Sequence, residues 1–104
     1  MELENIAMEI IAHSGEARSL TFEALDAYKR NDITKANDLL EKAESEITEA
    51  HKAQMGLLVA EANGEDVKVN VLLVHAQDHF MTSMLALDLA KSMISIFESK
   101  KGQL

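Results

Sequence analysis

The 104-residue sequence has no cysteine, no proline and no tryptophan, and only 4% of its residues are aromatic. Without cysteine the chain can form neither a disulfide framework nor a reactive thiolate. Without proline, no helix has to be interrupted by a missing backbone N–H. Strands are typically rich in aromatic and β-branched residues, whereas Ala, Leu, Met, Glu and Lys favour helices. The composition therefore predicts an all-α fold.

Positive charge is also scarce, since 10 Lys and Arg residues are outnumbered by 18 Asp and Glu residues, for a formal net charge of −8. Nucleic acids and anionic membrane surfaces are bound by basic surfaces, so neither is an expected partner. The start of the chain, Met1-Glu2-Leu3-Glu4, lacks the features of a signal peptide. No uninterrupted apolar run approaches the roughly 20 residues needed to cross a bilayer. We expect a cytoplasmic protein that does not insert into the membrane.

Three long segments with helical periodicity cover most of the sequence. They run from about Leu3 to Arg30, from about Ile33 to Ala62 and from about Val71 to Lys100, with apolar residues three or four positions apart. The breaks between them are short, so consecutive helices should pack antiparallel. We predict a single domain over residues 1–104, folded as an antiparallel three-helix bundle.

Residue types at the breaks support these helix limits. Asp32 and Asn70 are suited to cap the second and third helices, because their side-chain oxygens can accept from free N–H groups of the first turn. Gly64 suits the left-handed position that follows a helix end. Gly15, inside the first helix, costs about 1 kcal/mol relative to alanine, and we expect it to permit a close helix contact.

The third helix is apolar over about twice the width that a three-helix bundle requires. One face carries Leu72, Ala76, Leu87, Ala90 and Ile94. A neighbouring face carries Val71, Val74, Met81, Leu85 and Ile96. A helix packed against two others needs one apolar stripe somewhat more than 100° wide. The additional apolar surface has to be buried by other protein, and copies of the same helix in a symmetric oligomer would bury it.

Between these two faces, titratable residues form a cluster: His75, Asp78 and His79. Their spacings of three and four residues make them neighbours on one helix surface. One interpretation is phosphoryl acceptance, since a neutral imidazole is a nucleophile near neutral pH. Donors to the moving oxygens could be Gln77, His79, Thr82 or a group from another helix.

Two other interpretations stay open at this point. The two histidines could share a metal ion with Asp78, or identical Asp78 carboxylates around a symmetry axis could hold a hard cation such as Mg²⁺ in a structural role. Alternatively, His75 and His79 are interface residues without chemistry. His13 and His51 lie alone on their helices, so we expect structural roles for them.

The segment Val74-His75-Ala76-Gln77-Asp78-His79-Phe80-Met81-Thr82 strongly resembles the active-site helix of the lactose/cellobiose-type IIA proteins of the bacterial sugar phosphotransferase system. Ser14-Gly15-Glu16-Ala17-Arg18-Ser19 resembles the first-helix signature of that family, and Glu49-Ala50-His51-Lys52-Ala53-Gln54 resembles its second-helix segment. The resemblance therefore extends over nearly the whole chain.

This resemblance implies a left-handed three-helix protomer that assembles into a homotrimer of nine helices. It implies a phosphotransferase component in which phospho-HPr phosphorylates His75 on Nε2. The group would then pass to a cysteine of the cognate IIB, and finally to lactose, cellobiose or a related β-glucoside during transport through the membrane component IIC.

The resemblance also implies roles for three residues beside His75. Asp78 would lie at the trimer axis, where family members can hold a divalent cation, here expected to be a structural Mg²⁺. Gln77 and His79 match family positions close to the phosphoryl group, and no organic cofactor is implied.

Three rival functions remain for the same pattern. The first is a helical-bundle adaptor without chemistry, and the second is a metal-binding bundle or metal-dependent enzyme that uses His75, Asp78 and His79. The third is a two-component histidine phosphotransfer domain. Such domains usually form four-helix bundles with a lysine near the histidine, whereas here no lysine lies within one turn of His75.

Overall fold

The computed structural model describes residues 2–103, so Met1 and Leu104, the two ends of the predicted domain, lie outside it. Three helices follow one another, α1 (Leu3–Lys29), α2 (Ile33–Ala62) and α3 (Val71–Ser99). No strand occurs within residues 2–103. The helices form a rod of 56 × 19 × 19 Å. The predicted all-α class and the three helices are confirmed, with helix ends within one residue of those expected.

The predicted caps position the helix ends. The Asp32 carboxylate accepts from the backbone N of Lys35 at 3.2 Å. The side-chain oxygen of Asn70 accepts from the backbone N of Leu73 at 2.8 Å, which fixes the start of α3 four residues before the histidine pair. Gly64 has a φ of +88°, as expected of the left-handed position after a helix.

Small side chains dominate the core. Ten buried alanines line the helix contacts: Ala7, Ala17, Ala24, Ala27, Ala36, Ala43, Ala50, Ala60, Ala76 and Ala90. Phe80 and Ile10 are the largest of the fully buried side chains, and both belong to the core cluster at the end of the rod where α3 begins. Because the alanines are small, α3 lies close along α1, with fewer neighbours on α2.

We call the side of α3 that packs into the chain its inner face. It consists of Leu73, Ala76, Phe80, Ser83, Leu87 and Ala90, all buried. We call the opposite side the outer face. Its apolar residues are each more than half exposed: Val71, Val74, Met81, Leu85, Leu89 and Ile96. The single chain thus leaves uncovered the surplus apolar surface that the sequence predicted.

By length and composition alone, α3 could cross a membrane, with a mean hydropathy of 1.4 over 18 residues. A helix covered by protein on two sides has the same composition. Asp78 is exposed on the open side of α3, and a carboxylate is costly in the interior of a bilayer. We therefore interpret the apolar surface as one that binds protein.

The expectation for Gly15 is wrong within the single chain. A Cβ added there would meet no atom of the rest of the chain within 4 Å, so no close helix contact requires the glycine. Gly15 instead lies in open space on α1.

Candidate functional site

The structure brings His75 and His79 together in the first turns of α3. Their Nε2 atoms are 3.1 Å apart, and the rings meet edge to face with centroids 4.4 Å apart. His75 is exposed to solvent, whereas His79 is half-buried behind it. The neighbour relation predicted from the spacing of four residues therefore takes the form of a ring-to-ring hydrogen bond.

The surroundings of His79 indicate which ring donates that hydrogen bond. A neutral imidazole carries one N–H and one bare nitrogen. The Nδ1 atom of His79 is buried and has no hydrogen-bond partner among residues 2–103. A buried N–H without a partner is less tolerable than a buried bare acceptor, so the hydrogen of His79 belongs on Nε2. His79 then donates to His75, whose Nε2 keeps its lone pair.

Thr82, another candidate donor, is already engaged. Its hydroxyl donates to the backbone oxygen of Asp78 at 2.7 Å. That hydrogen bond uses the hydroxyl hydrogen, so Thr82 offers no free donor to a group on His75. Within α3, the N–H of His79 is the donor in hydrogen-bond contact with Nε2 of His75.

Gln77 lies on a different side of α3 from His75. A separation of two residues turns the side chain by about 200° around the helix. Gln77 is half-buried against α2, where its side-chain oxygen accepts from Nε2 of Gln54 at 2.6 Å. The expected position of Gln77 beside the phosphoryl group therefore stays a prediction. Within one chain, Gln77 lies too far around α3 to contact a group on His75.

Asp78 is exposed on the open side of α3, pointing away from α1 and α2. Among the described residues, no group of three or more His, Asp or Glu side chains is placed to hold a metal ion. One chain thus supplies a single carboxylate and no complete ligand set. A cation at Asp78 requires further copies of the chain, and it stays a prediction.

The two remaining histidines make structural contacts elsewhere. Nδ1 of His13 is 2.5 Å from a carboxylate oxygen of Glu46, which ties α1 to α2. His51 lies against the ring of Phe80, with ring centroids 6.0 Å apart. Neither histidine joins the pair on α3 in a hydrogen bond, as expected from their isolated positions in the sequence.

Gln54 is the hydrogen-bond partner of Gln77, a role that sequence reasoning missed. It stands in the apolar stripe of α2, between Ala50 and Leu57. A polar side chain in such a stripe needs a hydrogen-bond partner. This requirement is the feature of the sequence that could have drawn attention to Gln54. The sequence could not identify the partner, because Gln77 lies 23 residues away on another helix.

Comparisons with known proteins identify similar sequences over nearly the whole chain. The sequence model of the lactose/cellobiose-specific IIA subunits of the phosphotransferase system matches residues 5–98. A lactose-specific EIIA component of Staphylococcus epidermidis is 45% identical over 101 residues, which cover 97% of this chain and 95% of that protein.

Solved structures give the same result. The crystal structure of a cellobiose-specific enzyme IIA from Bacillus anthracis superposes with a TM-score of 0.91 at 38% identity, covering 98% of this chain and 95% of that one. A chain in the solution structures of the IIA(Chitobiose)–HPr complex from Escherichia coli has a TM-score of 0.82 at 39% identity, covering 98% and 99%.

Proposed function

This chain belongs to the lactose/cellobiose-specific IIA family of the sugar phosphotransferase system, and from this premise we propose that it is a phosphocarrier that works through His75. Phospho-HPr is the donor, and a cysteine of the cognate IIB is the acceptor. A related IIA protein is known in a complex with HPr, which supports the first partner. The sugar itself never binds to this protein.

The single observation that carries the proposal is the histidine pair, in which Nε2 of the exposed His75 lies 3.1 Å from Nε2 of the half-buried His79. In the first step, Nε2 of His75 attacks the phosphorus of phospho-HPr, and its bond to phosphorus forms as the donor's bond breaks. For this attack the N–H of His79 must first leave the lone pair of His75, and it then donates to a phosphoryl oxygen. In the second step, the IIB thiolate attacks the phosphorus, and His75 regains its lone pair.

The outer face of α3 supports assembly into a homotrimer. Its exposed apolar residues are too many for a lone chain to leave in water, and a threefold arrangement of α3 helices would cover them. Asp78 would then lie near the axis, one per subunit. Three carboxylates there fit a hard divalent cation, for which Mg²⁺ is the expected species, in a structural role.

The expected location of the protein is the cytoplasm, where HPr and IIB would meet it. The relatives are described as lactose-specific and cellobiose-specific, so the transported sugar is expected to be lactose, cellobiose or a related β-glucoside, moved through the membrane component IIC. The sugar does not follow from the site, because no step at His75 involves it.

The test is phosphorylation by phosphoenolpyruvate and the general phosphotransferase proteins. We expect the parent chain to gain one phosphoryl group that is labile in acid and stable in base, and His75→Ala to gain none. His51→Ala, with an exposed histidine outside the pair, is the matched control and should label as the parent does. Equal labelling of His75→Ala and the parent contradicts the proposal.

The rival functions give different results in the same experiment. An adaptor without chemistry assembles normally but does not label. A metal-dependent enzyme loses activity when the metal is chelated, whereas a structural axial cation affects mainly the stability of the assembly.

A further inference from the structure

A phosphoryl group on His75 needs more hydrogen-bond donors than α3 itself provides. Such a group carries about two negative charges and three acceptor oxygens. The chain offers the N–H of His79, while the hydroxyl of Thr82 donates to the backbone of Asp78. If His75 carries the phosphoryl group, as proposed above, further donors must come from outside α3.

A neighbouring subunit can supply such a donor from Gln77. On α3, Gln77 lies on the flank that contacts α2, and His75 lies about 200° away by helical spacing, with the outer face between them. In a cyclic trimer the interfaces are head to tail, so one flank of each subunit meets the opposite flank of the next. With the outer faces around the axis, the side of α3 that carries Gln77 therefore faces the His75 of the next subunit.

The orientation of the Gln77 amide decides whether it can act as a donor. Its oxygen accepts from Nε2 of Gln54 at 2.6 Å, and both side chains are half-buried. This bond occupies the carbonyl side of the amide and leaves its two N–H hydrogens free. A reversed amide would present an oxygen to the phosphoryl oxygens, and the two would repel each other.

We propose that Gln54 is a positioning residue for phosphoryl transfer, which holds the Gln77 amide with its N–H groups towards the phosphoryl group on His75 of the neighbouring subunit. Gln54 itself does not touch the reacting atoms. Its effect passes through one hydrogen bond between α2 and α3.

The first test changes the donor at position 54 and measures single-turnover transfer from phospho-HPr to the full-length protein. Gln54→Met removes the donor at similar volume and should slow transfer about tenfold, the lower end of what one hydrogen bond to a charged group contributes. In Gln54→Glu the carboxylate accepts a hydrogen bond instead of donating one, which reverses the Gln77 amide. Transfer to this variant should be slower still. Gln54→Lys keeps a donor and should recover most of the parent rate. Lys52→Gln, an exposed change of the same charge as Gln54→Glu, should not affect the rate.

The second test asks whether Gln77 acts across the subunit boundary. We mix His75→Ala subunits with Gln77→Met subunits and allow them to exchange. In mixed trimers, a His75 from one variant faces a Gln77 from the other, so transfer should return to the parent rate at those sites. As a control, the double variant His75→Ala/Gln77→Met mixed with Gln77→Met subunits should give no recovery.

Two results overturn the inference. Equal rates for the parent, Gln54→Met and Gln54→Glu would show that the orientation of the Gln77 amide does not matter. If the parent protein labels normally but the mixed trimers of His75→Ala and Gln77→Met subunits show no recovery, Gln77 does not act across the subunit boundary. Failure of the parent itself to label is a different outcome, which overturns the proposed function and this inference with it.

A double-mutant cycle distinguishes the positioning role of Gln54 from a merely structural role. Gln54→Met in a Gln77→Met background should slow transfer no further, since the positioned group is already gone. Independent slowing by the two changes would contradict the positioning role.

Discussion

The inner and outer faces of α3 are both apolar, but they differ in the size of their side chains. Along the inner face, Ala76, Ser83 and Ala90 alternate with Leu73, Phe80 and Leu87, and all six are buried. The outer face has valine, leucine, isoleucine and methionine, which stay more than half exposed. Small residues permit the close approach of α1, whereas the larger ones on the outer face stay uncovered in the single chain. Side-chain size therefore distinguishes the face that packs within the chain from the face that the chain leaves uncovered.

The two faces also differ in their polar residues. The hydroxyl of Ser83 on the inner face is buried without a hydrogen-bond partner among residues 2–103. On the open side, His75 and Asp78 keep their access to solvent. A neutral hydroxyl is tolerated inside the protomer, while the titratable groups lie where a partner protein or a second copy can reach them.

The largest expected effect comes from the inner face. Phe80 is 1% exposed, packs in the core cluster with Ile10 and Leu73, and contacts the ring of His51. Phe80→Ala should lower the free energy of unfolding by about 3–5 kcal/mol, because it leaves a cavity that small neighbours cannot fill. Denaturant unfolding at low protein concentration measures this change. Leu85→Ala is the matched control on the outer face, and an equal loss for both variants would erase the distinction between the faces.

The next effect tests the outer face. Leu85→Glu should leave the helix content unchanged but dissociate the assembly, because each subunit would bring a carboxylate into an apolar contact. Circular dichroism measures the first quantity and sedimentation velocity the second. Glu41→Gln on the exposed side of α2 is the control. A variant that assembles as tightly as the parent would show that the outer face is not the interface.

The smallest effect is expected at Asp78. In a trimer, Asp78→Leu removes like charges from the axis and adds apolar contact, so the thermal midpoint should stay equal to that of the parent or rise. The comparison is made at one protein concentration, with and without a chelator, because assembly makes the midpoint concentration-dependent. A midpoint well below that of the parent would argue against an axial position for this carboxylate.

Local features explain why the helix limits and the histidine pair were predictable. Asp32, Asn70 and Gly64 mark helix ends by their own backbone and side-chain chemistry, whatever the rest of the chain does. The meeting of His75 and His79 follows from helical spacing alone. Both predictions depend only on residues within one or two turns.

Features that depend on how helices pack were not predictable from the sequence. The bond between Gln54 and Gln77 joins two helices, and its existence depends on their relative rotation. The same holds for Gly15, whose surroundings the sequence suggested wrongly. The donor role of His79 needed the burial of its Nδ1 atom, which no periodicity reports.

The up-down-up order of the helices places His75 and the turn at Asn31 and Asp32 at opposite ends of the rod. From His75 to Ser99, α3 alone extends about 36 Å, and at its far end Lys101 lies over the ring of Tyr28 at 5.8 Å. A fluorophore or a fused reporter attached at that turn would thus stand well clear of the imidazole. The turn at Asn31 and Asp32 is therefore a suitable attachment site for immobilising or labelling the protein, because the end that carries His75 stays accessible to partner proteins.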